Sequence, residues 1–173
     1  MGTRNLSLCK LDGKCRIAQY GQWDGYPEGQ GLTILEFCRD KDKLAVLKSL
    51  LLNNKVCYYT DEEADNMNTL LKAKSKRALR MFGLFNSRDV CGKIFDNIVS
   101  NYKEFNIILL QDESDFLNDE LFCEWAYCIN FDNKTLEVYA NGNHLIKTFL
   151  LDALPDNDKF IDDIYKEIKY DND

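Results

Sequence analysis

Histidine occurs once in these 173 residues and proline twice. The single imidazole, His144, excludes His–His metal pairs and any mechanism that passes a proton between two histidines. Seven cysteines are present, but none is spaced as Cys-x-x-Cys, and an odd number cannot close into a complete disulfide framework. Gly25, Gly29 and Gly31 lack the spacing of a dinucleotide-binding turn, and no phosphate-loop or nucleophile-elbow pattern occurs. Apolar runs of membrane-spanning length and leader-like segments are both missing. A lipid anchor on Gly2 is not expected, because position 6 is Leu6 rather than Ser or Thr. From these absences we expect a cytoplasmic protein with reduced thiols, no membrane partner, no disulfide partner, no metal and no cofactor.

Basic charge is also scarce, with 22 Lys and Arg against 29 Asp and Glu, a net −7. A protein that coats nucleic acid needs a basic face, so that class is disfavoured. Most of the acidic excess lies from Asp152 to Asp173, where eight acids face three lysines. Such a stretch is a solvated face or a docking surface for a basic partner.

The densest feature is AQYGQWDGYPEGQG, from Ala18 to Gly31, which holds four of the nine glycines. Two readings stand. In one, the run is a tight bend with Tyr20, Trp23 and Tyr26 as packing. In the other it is a ligand loop, since glycine lets backbone approach a ligand closely and a helix N-terminus after Gly31 favours anions.

Before it, residues 3–11 and 14–23 read as strands joined by Asp12-Gly13, a dipeptide suited to a two-residue hairpin turn. A regular ladder then sets Leu8 opposite Ile17, Leu6 opposite Gln19 and Arg4 opposite Gly21, which puts Arg4 beside the DGYPEGQG loop. Beyond the loop, Leu32–Arg39 and Lys41–Asn53 read as helices. A capping box, Thr60-x-x-Glu63, predicts a helix running to about Arg80, with Lys72, Lys74, Lys76, Arg77 and Arg80 at its far end. That basic run either complements the helix dipole or contacts nucleic acid. Val90 to Tyr102 has the clearest amphipathic period, and Asn106–Leu110 reads as a buried strand. Leu121–Phe131 alternates as a strand, places Cys123 and Cys128 on opposite faces, and enters a second hairpin through Asp132-Asn133-Lys134 to Leu136–Tyr139. A last helix follows Pro155. The expected fold is a single α+β domain over residues 1–173, its largely antiparallel sheet built from an N-terminal and a C-terminal hairpin and covered by several helices.

Glu124 breaks an otherwise apolar strand face, so it is either wet at an edge or paired with Arg4. His144, in an AsnGlyAsnHis context, is expected in a loop. A minimal phosphodiester site would use Arg4 to stabilise the phosphorane, Asp24 or Glu124 as base and Tyr26 or His144 as acid. The remaining candidates are binding residues: Tyr20, Gln22, Trp23, Gly25, Gly29 and Gly31 in the loop, and Lys74, Lys76, Arg77 and Arg80 in the basic run.

Met-Gly-Thr-Arg at the start, followed by the QWDGYPEGQG run, resembles an uncharacterised family of bacteria, phages and mobile elements that carries a Tyr-x-Gln-x-Asp-Gly-Tyr-Pro-x-Gly-x-Gly motif. The matching positions are Gly2, Thr3, Arg4, Tyr20, Gln22, Asp24, Gly25, Tyr26, Pro27, Gly29 and Gly31. Residues 121–127 and 136–139 are also similar, while Gln30 stands where many relatives have His. Size and acidity further resemble anti-CRISPR inhibitors of Cas9, some of which damage or displace the guide RNA. The resemblance implies an antagonist of a nucleic-acid-guided defence, with a Cas9-type effector and its guide RNA as partners and a ribonuclease or phosphodiesterase as its enzymatic form. Two other expectations come from different classes: a small hydrolase laid out like the N-terminal-nucleophile amidohydrolases, with Thr3 as nucleophile, and a non-catalytic module binding a ligand or peptide.

Overall fold

The computed structural model describes residues 2–171. Its frame is a five-stranded sheet formed by two hairpin systems far apart in the chain. The N-terminal hairpin, β1 (Asn5–Leu11) and β2 (Lys14–Gly21), turns at Asp12 and Gly13, both with positive φ (54° and 72°) as a two-residue hairpin turn requires. The C-terminal part supplies β5 (Trp125–Asn130), β6 (Thr135–Ala140) and β7 (His144–Leu150). Strand order is β2-β1-β5-β6-β7, antiparallel except where β1 meets β5. Between the two systems run α1 (Leu32–Arg39), α2 (Lys41–Leu52), α3 (Asp61–Lys72), α4 (Lys76–Phe85) and α5 (Ile94–Asn101), and α6 (Asn157–Asp171) follows the sheet. A small parallel pair, β3 (Val56–Tyr58) with β4 (Ile108–Leu110), lies among the helices. The fold is α+β.

Alternation along the strands sorts the core into two clusters. Cys9, Ile17, Tyr127, Ile129, Leu136 and Val138 meet the helices in the larger one. Leu6, Leu8, Ala18, Ala126, Cys128 and Tyr139 form a smaller one on the opposite face, closed by Phe116 and Leu117 of a short 3-10 segment.

Several expectations are corrected. The hairpin ladder starts in the expected register, Leu11 opposite Lys14 and Lys10 opposite Cys15, but shifts by one residue beyond Lys10. A bulge at Arg16 absorbs the extra residue, and its guanidinium leaves the ladder for the Leu51 carbonyl at 3.0 Å and Asn54 Oδ1 at 3.3 Å. Leu8 therefore faces Ala18, Leu6 faces Tyr20, and Asn5, not Arg4, faces Gly21. The helix expected to reach Arg80 is two helices. Its capping box is present, but Lys74 adopts φ 56° and the Ser75 hydroxyl accepts the Ala78 amide, starting α4. Cys123 and Cys128 share the smaller cluster, because residues 119–124 form a turn and the strand begins only at Trp125. All seven cysteines are free thiols. Among the described residues no helix is long and apolar enough to cross a membrane.

Candidate functional site

The register brings the predicted residues to one end of the sheet. Gly21, Asn5, Trp125, Ala140 and His144 form a row across all five strands, each paired with the next. Neighbouring strands lie about 4.8 Å apart, so this row spans roughly 19 Å. The motif loop, Arg4 and Glu124 all project from it.

The loop is organised from inside. The Asn5 side chain is fully buried, and its amide nitrogen donates to the carbonyls of Thr3, Gly21 and Trp23 at 3.2–3.3 Å. The Tyr127 hydroxyl, also buried, donates to the Gly25 carbonyl at 2.7 Å, and the Gly25 amide donates to the Thr3 carbonyl at 3.0 Å. Burial pushes the Tyr127 pKa well up, so the phenol keeps this proton. Gln30 closes the turn: its backbone N–H donates to the Asp24 carbonyl at 2.8 Å and its side-chain Oε1 accepts the Gly92 N–H at 2.9 Å. Gln22 N–H donates to the Arg88 carbonyl at 3.1 Å, and the Trp23 indole donates to Asp89 at 2.7 Å.

Two glycines show why the run is glycine-rich. A Cβ on Gly29 would lie 2.2 Å from the Asp24 carbonyl oxygen, and one on Gly25 would lie 2.7 Å from both Asn5 Cβ and the Thr3 oxygen. Neither has a positive φ; that conformation falls on Asp24, at 54°. The glycines serve backbone packed on backbone. Gly31 differs, its missing Cβ leaving room for the side-chain rings of Tyr127 and Phe160. The two separated parts of the motif, Gly2-Thr3-Arg4 and the loop, are thus one contact surface. Tyr20 donates to Gln22 Oε1 at 2.6 Å, which ties two further motif positions together.

What remains outward-facing is Trp23, Asp24, Tyr26 and Glu28. Tyr26 donates to Asp24 Oδ1 at 3.2 Å, and that bond raises the Tyr26 pKa. Tyr165 of α6 donates to Glu28 at 2.8 Å; burial first, and then this bond, push its pKa up to about 12.

Arg4 and Glu124 are neighbours through the backbone. The Arg4 amide donates to Glu124 Oε1 at 3.2 Å, while the Arg4 guanidinium lies over the Phe122 ring, 4.6 Å from its centroid. The side-chain pairing expected between them is replaced by this stacking. Arg4 precedes β1, and the one-residue shift at the bulge sets Asn5 rather than Arg4 across from Gly21. Glu124 itself is exposed and precedes its strand. His144 is the first residue of β7 rather than a loop residue, set there by the turn at Asn141 and Gly142, both with positive φ.

Glu124 and His144 line a common cleft of about 630 Å³ with Trp125, Asn141, Ile146 and Tyr165. Trp125 and Tyr165 meet edge to face, with centroids 6.1 Å apart. Among the described residues, no lysine or arginine lines the cleft. Its chemistry is a carboxylate, an imidazole, an amide and two aromatic walls, which suits a cationic group with an apolar flank.

The basic run stands elsewhere, at the α3–α4 corner. Arg80 grips Glu104 with two hydrogen bonds of 2.5 and 2.8 Å, and Arg77 lies over the Phe105 ring at 5.2 Å. Lys76, Arg77 and Arg80 belong to α4, two of them in its first turn, where the dipole opposes positive charge. Only Lys72 occupies a helix C-terminus as expected. Lys74 is the positive-φ residue between the two helices.

Asn5, Tyr127, Gln30 and the 88–92 turn were missed as organisers of the loop. A lone Asn between Arg4 and an apolar strand carried the only visible signal. Cys91, buried against Trp23, has its pKa raised by desolvation, which keeps it a thiol. Among the described residues no group of three or more His, Cys, Asp or Glu is placed to hold a metal ion. Comparison with protein-family models, with curated proteins and with solved structures finds no match.

Proposed function

We propose that this chain is a non-catalytic binding protein that docks a basic partner at the sheet-end cleft. The observation that carries the reading is the lining of that cleft: Glu124 and two aromatic walls, without a lysine or arginine. A phosphodiester entering it would meet the Glu124 carboxylate and, among the described lining residues, no lysine or arginine, whereas a lysine or arginine side chain would find a counter-charge and ring faces. The motif loop is read here as scaffold, because its carbonyls and amides are engaged internally. Thr3 is read the same way, since its carbonyl holds Gly25 and Asn5. That leaves the hydrolase alternative without support.

The wider expectation, an anti-CRISPR-like antagonist from a phage or mobile element acting on a Cas9-type effector, fits this reading in its stoichiometric form. Beside the cleft, α6 presents Asp158 and Asp162 to solvent, and Asp152 precedes it. An acidic face of this kind suits a protein that normally holds nucleic acid. Guide-RNA cleavage by Arg4, Asp24, Tyr26, Glu124 and His144 is less well supported, because Arg4 stacks on Phe122 and Asp24 is bonded to Tyr26.

The test mixes the purified protein with Cas9, with and without guide RNA, and follows both complex and RNA on gels. A complex with intact RNA, lost at high salt and weakened by Glu124→Gln, is the expected result. Shortened RNA would replace this reading with the nuclease, and absence of any complex would remove Cas9 as the partner.

A further inference from the structure

We infer that a second site, a slot along the outer edge of β2, binds a small zwitterion: a free α-amino acid with an apolar side chain. The slot is independent of the sheet-end cleft. It has a volume of about 430 Å³ and is lined by Gln19, Tyr20, Asn86, Arg88, Asp89 and Glu113, among others. Sites for small ligands commonly measure about 300–1,000 Å³.

Its walls are fixed before any ligand arrives. The Arg88 carbonyl accepts the Gln22 N–H at 3.1 Å, and the Ser87 carbonyl accepts Gln19 Nε2 at 3.1 Å. Across the slot, the Glu113 amide donates to the Ala18 carbonyl at 3.2 Å, and Asn86 is held by Leu109 and Gln111 at 3.1 and 3.0 Å. The backbone of both turns is therefore committed, and the charged side chains are what the slot offers.

Those side chains form a split pair. Among the described residues neither Arg88 nor Glu113 has an ionic partner within 4 Å. Partial burial and then Asp112 raise the Glu113 pKa, the mark of a carboxylate that lacks a cation. Asp89 adds a second carboxylate, one oxygen of which already accepts the Trp23 indole. A ligand ammonium answers Glu113 and Asp89, and a ligand carboxylate takes the fork of Arg88. Two carboxylates against one guanidinium disfavour a phosphate.

The side-chain preference follows from what adjoins the slot. Phe82, 39% exposed, and Asn86 and Gln111 also line a groove between α3 and α4 walled by Met67 and Leu71. An amino acid held by its charged end at Arg88 and Glu113 would direct an aliphatic side chain toward this groove. Because residues 88 and 89 also hold Gln22 and Trp23, occupancy would be felt by the indole.

The experiment titrates the full chain by calorimetry and tryptophan emission with L-leucine, with L-leucinamide, which keeps only the ammonium, and with N-acetyl-L-leucine, which keeps only the carboxylate. L-leucine should bind with one-to-one stoichiometry and change the emission. Each blocked form, and each of Arg88→Ala and Glu113→Gln against L-leucine, should bind about tenfold or more weakly, the scale of a lost charge-assisted hydrogen bond. Glu124→Gln should leave L-leucine binding intact, so failure at this slot and failure at the cleft are separable. No heat and no emission change with L-leucine up to ~10 mM, the millimolar limit of weak binding, would overturn the inference. So would equal binding of the blocked forms, a comparison on the unaltered chain that stands even if a substitution unfolds it.

Discussion

The motif loop at 22–31 and the helical hairpin of α3 and α4 are both surface segments, and they are built on opposite principles. Only the loop's second half, a single π-helical turn from Pro27 to Gly31, is regular, yet Gly25, Pro27 and Gly31 are buried and the loop's backbone is bonded to Thr3, Tyr127, Asn5 and Arg88. α3 is twelve residues of regular helix that bury no side chain. Its order comes from the capping box and from partial packing of Met67 on the main core. Regularity and fixity are therefore separate properties. A segment poor in side chains can be the more tightly determined one when its peptide groups find partners across the chain.

The sharpest way to break the comparison is Gly29→Ala. Its Cβ would meet the Asp24 carbonyl, a backbone atom that cannot yield without opening the loop, so we expect a loss of about 3 kcal/mol, the upper range for overpacking. Urea unfolding decides it, and a change below about 0.5 kcal/mol, the usual scatter of surface substitutions, would sink the scaffold account. Tyr127→Phe should cost about 2 kcal/mol, because it leaves the buried Gly25 carbonyl without its donor. An unchanged melting point there would mean the loop is held without Tyr127.

In the hairpin the effects should be smaller and local. Thr60→Ala removes the cap of α3 and should cost about 1 kcal/mol. Hydrogen exchange should show the loss confined to 61–72, with those amides exchanging fastest among the helices even in the unaltered chain; a global rise in exchange would show that α3 is coupled to the core after all. Lys74→Gly should stabilise by about 0.5 kcal/mol, since a positive φ of 56° strains lysine more than glycine. A destabilised variant would point to a contact of Lys74 that matters more than its backbone.

Much of this architecture is legible in the sequence. The Asp12-Gly13 turn, the Thr60 capping box and the helix after Pro155 are local signals, and each falls where expected. The errors arise where distant partners outweigh local pattern. Nothing near Arg16 announces that its guanidinium will bond to the end of α2, and so the bulge and the one-residue shift went unseen. Ser75 reads equally well as a residue inside a helix or as a cap. The candidate site was visible as a list: Glu124 and His144 were named, but only the strand register places them in one cleft. Arg88 and Glu113 carry no sequence signal, since each lies in a turn whose position is set by the edge of β2.

The parallel junction of β1 with β5 also bears on how the chain is made. Asn5 pairs with Trp125, and Lys10 with Asn130, across a separation of 120 residues. Until that late segment leaves the ribosome, the first hairpin has one strand edge open and the apolar faces of Leu6 and Leu8 uncovered. At synthesis rates of ~5–20 residues per second, the wait is roughly 6–24 s. In that interval the nascent chain exposes a pairing edge that any extended peptide could occupy. Efficient production should therefore depend on translation speed and on chaperones that shield the hairpin until its partner strand is made.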